Sequence, residues 1–447
     1  MQLDVFLSFD FAKAVTEGTC PQEITLSLCE INEDNAEATV NKLTNLHPSI
    51  PIIGLNLYNS CEFQIKCLFE GINNNSNIRH LLITYNRLVV AFPPDDIRAP
   101  ISSNIIQAIV AELAKSSFLK CVHLTQIPMS DPDAFFAFLH TNKTINYLYI
   151  KNLVDAEIIK SAFKAVKKRE NTIYLTLHDD NDDPEMELTS EMIHSLAVEN
   201  GFNNSLYGLN CTGVIIGYEA LTELTKVLGR YSRIEELTLE YSQLDCRGMQ
   251  AIANLLKTNS SPFSLRILDI NYNQIGIKGL KLLGDVLQTN TTLRYLNLDA
   301  TSLLDTAVTT QPDGQIVQVL VENIEDGWNY LLSSLQTNTT LTKIELGGDA
   351  DGVDAFACWP KIQTILTNNY QRFADSVTEL TKEDAYLDTI ESVELNRESI
   401  GSSWPKIIKL LQSMPVLKKL SLNENDLQND YTKSVVKNKC AVLSNAK

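Results

Sequence analysis

The side chains that could support metal or catalytic chemistry are few in this sequence, and they stand far apart. The six histidines never pair at the spacing of a metal site. Asp179, Asn181 and Asp183 alternate like the first ligands of a calcium loop, but Pro184 stands where such a loop needs glycine. We therefore interpret this run as a solvated acidic turn, and the sequence predicts no metal site.

Other signatures of catalysis are missing as well. No phosphate-binding, dinucleotide-binding, zinc-protease or serine-hydrolase motif occurs in the chain. The nine cysteines are scattered without a Cys-x-x-Cys pair, which is typical of a reducing compartment. We expect no catalytic residue, no cofactor, and small buried roles for the cysteines.

The most informative pattern is Leu-x-x-Leu-x-Leu-x-x-Asn-x-Leu, which recurs along the whole chain. Plain copies begin at Ile78, Leu265 and Leu417. A unit this short cannot bury its own apolar face, so successive units must stack on one another. The sequence therefore predicts an α/β solenoid, shaped like a horseshoe, with a concave parallel β-sheet and outer helices.

The second leucine of the motif marks thirteen candidate repeats. It can be placed at Ile24, Leu55, Leu81, Val122, Leu148, Leu175, Leu209, Leu237, Leu268, Leu296, Ile344, Val393 and Leu420. Three long intervals between these positions predict insertions near residues 89–103, 305–326 and 349–389. We assign residues 1–20 to an N-terminal cap, 21–427 to the solenoid and 428–447 to a C-terminal capping helix.

Apolar residues at helical spacing predict a helix after most strands, as at 104–115, 156–168, 220–228, 248–256, 276–287 and 328–335. The largest insertion is predicted to hold two further helices, near 356–366 and 373–380. Polar turns of similar sequence follow three helices, at 141–144, 289–292 and 337–340, and we attribute their asparagines to left-handed backbone. The motif asparagine, as at Asn273, is expected to bond the backbone of neighbouring turns, with Ser242 or Thr301 in its place elsewhere.

Side chains between the motif leucines should line the concave face, because side chains alternate along a strand. The first half of this face carries rings: Tyr58, His80, His123, Tyr147, Tyr149, Tyr174 and His178. The second half carries carboxylates: Glu236, Glu240, Asp269, Asp299, Glu345 and Glu394. Because adjacent strands lie about 4.8 Å apart, we expect Glu240, Asp269 and Asp299 to be near neighbours.

Two interpretations of this face remain open. It could be a docking surface, with Tyr147, Tyr149, Tyr174 and His178 as anchors beside carboxylates that attract lysine and arginine. Alternatively, these are ordinary polar positions of an exposed sheet, with tyrosines that stack across strands. The net charge of -18 disfavours nucleic acid and anionic membranes, since both need a positive surface.

The chain contains no run of about 18 apolar residues, and its apolar start has no preceding basic residue. We therefore expect no membrane insertion and no signal peptide. The expectation is a soluble, cytosolic monomer that meets a protein partner with a basic surface.

The motif and repeat length resemble the ribonuclease-inhibitor-like leucine-rich-repeat proteins over residues 21–427. Repeat spacing is less regular here than in that group, and cysteine is sparser. The Thr-Asn-x-Thr-Leu junctions, the irregular insertions and the Asn- and Lys-rich composition look like leucine-rich-repeat effectors that intracellular bacteria inject into host cells. This resemblance implies a non-enzymatic protein-binding module that is secreted into the host cytoplasm.

The same resemblance implies a rival function. One ribonuclease-inhibitor-like branch accelerates GTP hydrolysis with a loop arginine, and Arg87 and Arg247 stand on plausible loops of this chain. A regulator of small GTPases is therefore the alternative hypothesis. A third possibility is a structural component of a larger assembly, which binds through its helices or insertions.

Overall fold

The computed structural model describes residues 2–21, 23–57, 60–84, 101–125, 127–151, 155–179, 186–197, 205–231, 234–257, 265–299, 301, 306–310, 316–320, 324–346, 358–379, 392–394 and 419–421. Side chains are described for these residues except Ser27, Cys29 and those at 306–310, 316–320, 373–379, 392–394 and 419–421.

Eleven strands form one parallel sheet in which neighbours follow the order of the chain. They are β1 Glu23–Ser27, β2 Ile52–Asn56, β3 His80–Thr84, β4 Cys121–Thr125, β5 Tyr147–Lys151, β6 Ile173–His178, β7 Leu206–Thr212, β8 Glu236–Thr238, β9 Ile267–Asp269, β10 Tyr295–Asn297 and, after a hairpin of β11 Thr306–Thr310 and β12 Ile316–Leu320, β13 Lys343–Glu345. Two more strands, β14 Ser392–Glu394 and β15 Lys419–Ser421, pair in parallel in a separate sheet.

Helices precede the sheet and connect its strands. They are α1 Leu3–Ser8, α2 Phe11–Thr16, α3 Ala36–Thr44, α4 Glu62–Asn73, α5 Ser103–Lys115, α6 Pro132–Phe136, α7 Phe138–Thr141, α8 Ala156–Lys167, α9 Ser190–Leu196, α10 Tyr218–Leu228, α11 Cys246–Lys257, α12 Gly276–Leu287, α13 Ile324–Leu335 and α14 Trp359–Glu379. A short 3-10 helix, Leu28–Glu30, follows β1.

The motif leucines explain why the repeats stack. The second leucines pair in register from strand to strand, as Leu81 with Val122 and Leu268 with Leu296, and they are buried. Strands lie about 4.8 Å apart while packed helices need about 8–10 Å, so the stack must curve with the sheet inside. The chain folds as a leucine-rich-repeat solenoid, as the sequence predicted.

One register prediction is wrong. Ile53, not Leu55, pairs with Ile24 on one side and with Leu81 on the other. Both Ile53 and Leu55 are fully buried. Because a shift of two residues keeps every side chain on its own face, the apolar pattern cannot distinguish the two alignments.

The insertions also differ from expectation. The segment predicted as irregular at 305–326 contains the antiparallel hairpin β11–β12 and the start of α13. In the largest insertion, one helix of 21 residues, α14, replaces the two that were predicted. Residues 89–100 of the first insertion and the predicted capping helix at 428–447 lie outside the described residues.

The motif asparagine acts as expected at Asn273. Its amide nitrogen donates to the carbonyls of Leu239, Ile270 and Asn271, and its oxygen accepts from two backbone amides of the preceding repeat. Where the motif has a hydroxyl residue, the bond is simpler: Thr301 donates to the carbonyl of Ile270. These bonds satisfy backbone groups at the turn where the ladder of the sheet ends.

A second set of buried asparagines joins the helical side, and here our expectation was wrong. The residues with left-handed backbone among those described do not include these asparagines. Instead, Asn338 donates to the carbonyls of Leu287 and Asn290 in the preceding repeat and accepts from two amides of its own turn. The other members are Asn75, Asn142, Asn290 and Asn369.

Candidate functional site

The face of the eleven-stranded sheet that points away from the core and the helices consists of rows of residues at equivalent strand positions. One row runs His80, Cys121, Tyr147, Tyr174, Gly208, Glu236, Ile267, Tyr295 and Lys343. The next row runs Leu82, His123, Tyr149, Thr176, Asn210, Thr238, Asp269, Asn297 and Glu345. We call this surface the sheet face.

Rings in the first half of the sheet face stack across three strands, β4, β5 and β6. His123 lies parallel to Tyr149 with ring centroids 4.8 Å apart, and Tyr149 contacts His178 at 5.8 Å. Tyr147 and Tyr174 form a second pair at 5.7 Å. The rings that the sequence predicted on this face therefore form a cluster. Tyr147 is an exposed member of it, at 40%.

His80, Cys121 and His123 come together at one end of this cluster. Their possible ligand atoms all lie within 4.8 Å of one another. Sequence spacing did not reveal the group, because its members come from two repeats and meet only through the pairing of His80 with Cys121. Aligning the repeats on Leu81 and Val122 would have found it.

Burial sets the protonation of this group. Desolvation lowers the pKa of His80, and together with the nearby His80 it lowers the pKa of His123 to about 4. Desolvation also raises the pKa of the Cys121 thiol to about 12. At neutral pH, therefore, both imidazoles are neutral and the thiol keeps its proton.

A glycine lets the ring half of the face reach the acidic half. The Tyr174 hydroxyl donates to the Glu236 carboxylate at 2.6 Å, although β7 lies between their strands. The position between them is Gly208, where an added Cβ would lie 2.3 Å from the Tyr174 ring. The missing side chain at residue 208 therefore makes room for this bridge.

Repulsion among the carboxylates of the acidic half is weaker than we expected, because Asp269 and Glu345 have partners. Asp269 is 8% exposed and accepts a hydrogen bond of 3.1 Å from the Asn297 amide. Glu345 accepts from the Tyr295 hydroxyl and pairs with Lys343.

The expected grouping of Glu240, Asp269 and Asp299 is wrong in detail. Asp269 shares its row with Thr238 and Asn297, whereas Glu240 and Asp299 belong to a row nearer the carboxyl ends of the strands. Ladder bonds there place Asn271 between Glu240 and Asp299, since the amide of Tyr241 donates to Asn271 and that of Tyr272 donates to Asp299. Both Glu240 and Asp299 are half-buried.

Two exposed tyrosines border this row, and sequence reasoning missed both. Tyr241 is 49% exposed and Tyr272 is 53% exposed. They occupy equivalent positions in adjacent repeats, directly after Glu240 and Asn271, and both have a backbone φ of 52°. The equivalent residue one repeat earlier is Gly213, with φ 72°, which is the residue type that this conformation favours.

Some predicted residues give no support to their proposed roles. Tyr58 and Arg87 lie outside the described residues. Glu394 belongs to β14 in the two-stranded sheet, and its side chain is not described. Arg247, the other arginine of the GTPase hypothesis, pairs with Asp245 and lies over the Tyr218 ring.

The calcium-like run is described only at its start. The Asp179 carboxylate is buried and accepts from the amide of Met186 at 2.9 Å, so it joins the two described residues that flank this run. Residues 180–185 lie outside the described part of the chain.

Neither a protein-family model nor a curated protein sequence matches this chain. Among solved structures, it is similar to Rad7 in the yeast complex of Rad7 and Elc1 (15% identity, 77% of this chain and 85% of that chain, TM-score 0.37). It is also similar to the leucine-rich repeat-containing protein LegL7 from Legionella pneumophila (11% identity, 70% and 89%, TM-score 0.36) and to leiomodin-1 actin-binding site 2 (18% identity, 49% and 94%, TM-score 0.30).

Within the described residues, no helix combines the length and the hydropathy needed to cross a membrane.

Proposed function

We propose that this protein is a non-enzymatic interaction module that binds a basic segment of a partner protein on the sheet face. The observation that carries the proposal is the placement of Tyr241 and Tyr272. These two half-exposed tyrosines occupy equivalent positions in adjacent repeats, directly after Glu240 and Asn271, in the row that also contains Asp299. Tyrosine is enriched in binding hot spots, and carboxylates near such an anchor attract a basic partner.

The backbone at these tyrosines supports the proposal. A left-handed conformation costs a residue with a Cβ about 1–2 kcal/mol, and bulky residues adopt it rarely. Gly213 meets the same need without this cost one repeat earlier. The positive φ in three successive repeats shows that the fold requires this backbone, so tyrosine there costs stability that glycine would not, and such a cost is typical of residues retained for binding.

Electrostatics favours a basic partner. On the described strands β8, β9 and β13, the sheet face carries Glu236, Asp269 and Glu345, with Lys343 paired to Glu345, and Glu240 and Asp299 follow just beyond β8 and β10. Five carboxylates and one lysine give these groups a net negative charge. A negative surface accelerates the encounter with positive segments and disfavours negative ones.

Selection of peptides from a random displayed library tests this proposal. We expect the recovered peptides to be rich in lysine and arginine. The double variant Glu240→Lys with Asp299→Lys should bind them at least about tenfold more weakly, which corresponds to about 1.4 kcal/mol. The difference should shrink as salt is raised, because exposed charges are screened.

The matched control places the same charge change on the helices. Glu37 and Glu219 are exposed residues in the first turns of α3 and α10, so Glu37→Lys with Glu219→Lys alters the net charge equally away from the sheet face. Equal loss in both double variants, or peptides without basic enrichment, would contradict the proposal.

The setting that we propose is a host cell into which a bacterium secretes this protein. Its support is the style of the sequence: the Thr-Asn-x-Thr-Leu junctions and the Asn- and Lys-rich composition. Fusion of the chain to a reporter that is active only in host cytoplasm tests this setting. We expect signal from bacteria with a working secretion system, and signal that survives disabling of that system would contradict it.

A further inference from the structure

His80, Cys121 and His123 are the starting point for a second inference, which goes beyond protein binding. Cys121 and His123 are alternate residues of β4 and therefore lie on the same side of the sheet. His80 begins β3 and pairs in register with Cys121. Two adjacent strands of a rigid solenoid thus deliver one thiol and two imidazoles to a single point.

We propose that these three side chains bind a divalent transition-metal ion of the Zn²⁺ type. Imidazole nitrogen and cysteine sulfur are the ligands that Zn²⁺ prefers, and three protein ligands leave a fourth tetrahedral position for water. A hard cation such as Mg²⁺ or Ca²⁺ is disfavoured, because the group offers no oxygen ligand.

The geometry needs only side-chain adjustment. Ligand atoms of a tetrahedral zinc site lie about 3.3–3.7 Å apart, as bond lengths of about 2.0–2.3 Å require. The three atoms here lie within 4.8 Å of one another, so a closure of about 1 Å or slightly more brings them to bonding positions. Rotation about side-chain bonds can supply that movement without a shift of the strands.

The surroundings prepare the group for a cation. His123 stacks on Tyr149 with ring planes only 20° apart, and this contact restricts rotation of the imidazole. The chain carries a net charge of -18, which favours the binding of cations over that of anions.

Binding can be written as a balanced exchange. The ion loses waters of its hydration shell, the Cys121 thiol gives its proton to solvent, and a metal–thiolate bond and two metal–imidazole bonds form. No electron is transferred, and no other reactant is needed.

Titration of the metal-free full chain with Co²⁺, a coloured substitute for Zn²⁺, tests this inference. We expect one ion per chain, the near-ultraviolet absorption of a cobalt–thiolate bond and the visible bands of tetrahedral cobalt, all removed by added Zn²⁺. Cys121→Ser should abolish the thiolate absorption. His123→Asn should weaken binding by more than about 100-fold, since loss of even an outer partner of a metal ligand costs about 10–100-fold.

Matched controls separate this site from other cysteines and rings. Cys61→Ser removes an exposed thiol elsewhere, and His178→Asn removes a ring of the same stack outside the group. Both controls should keep the cobalt spectrum.

A thiolate spectrum that persists in Cys121→Ser, or titration without a thiolate band in the unaltered chain, would overturn the proposal. If Cys121→Ser fails to fold, His80→Asn takes its place. This variant should keep the circular dichroism spectrum and bind Co²⁺ much more weakly, and unchanged Co²⁺ binding would overturn the proposal. The outcome is independent of the peptide experiment, because neither Glu240 nor Asp299 belongs to the metal-binding group.

Discussion

Tyr241 and Tyr272 show how single residues separate the needs of folding from those of binding. Their left-handed backbone would suit glycine, as at Gly213, yet the chain places large rings there. The rings are about half exposed, so they contribute little to the core. We attribute their presence to contact with a partner.

This interpretation predicts an unusual order of stability at position 272. Tyr272→Gly should change the free energy of unfolding by less than about 0.5 kcal/mol, because relief of about 1–2 kcal/mol of backbone strain offsets the lost contacts. Tyr272→Val should lower it by about 1 kcal/mol or more, because a branched side chain tolerates this conformation least. Urea unfolding measures both changes.

Peptide binding should respond to the glycine substitution although stability does not. Tyr272→Gly should weaken binding of the selected basic peptides although the fold is intact. A glycine variant that is much less stable than the parent, or that binds the peptides equally well, would show that the ring serves the fold.

The His80, Cys121 and His123 group shows what sequence reasoning lacked at this scale. The alignment of Leu81 with Val122 was predicted, and it already places His80 and Cys121 at equivalent positions. The group is not visible in the linear sequence, because strand pairing brings together ligands that lie one repeat apart in the chain. The left-handed tyrosines had no comparable signal, since nothing in their sequence requires a positive φ.

At the scale of elements, buried asparagines at two places in the repeat join it to the repeat before. Asn273 acts where strands end, and Asn338 acts where helices end. Both residues are nearly fully buried, so each amide replaces water for backbone groups that would otherwise be unsatisfied.

Asn273→Ala should therefore lower the free energy of unfolding by about 3 kcal/mol or more, since each buried polar group left without a partner costs about 1–3 kcal/mol. The exposed Asn254 of α11 is the matched control, and its change to alanine should alter stability by less than about 0.5 kcal/mol. Thermal or urea unfolding measures both, and equal effects would refute the role given to the buried amide.

Strands were easier to predict than helix ends. Each of the thirteen predicted leucine positions falls in a strand of the parallel sheets, although the alignment at Leu55 was two residues out. Helix α14 was predicted as two helices, near 356–366 and 373–380, instead of one element. Asn369 does form the junction bonds, to Asn338 and Leu341, but the helix continues through it.

At the scale of the whole molecule, the solenoid turns local patterns into long surfaces. Stacked strands place equivalent residues about 4.8 Å apart, so a residue type repeated at one motif position becomes a row. Here the rows change along the sheet from rings to carboxylates, and Tyr174 links the two halves through Glu236. The sequence indicated this division, whereas the hydrogen bonds that stabilise some of the carboxylates are seen only in the structure.

Oxidative footprinting of the bound and free protein tests most directly whether the sheet face is the binding surface. With a selected basic peptide bound, hydroxyl-radical modification of Tyr241 and Tyr272 should fall severalfold. Tyr218 and Phe63, which are exposed on the helices α10 and α4, should react as in the free protein. Protection of Tyr218 or Phe63 with Tyr241 and Tyr272 unchanged would contradict the account.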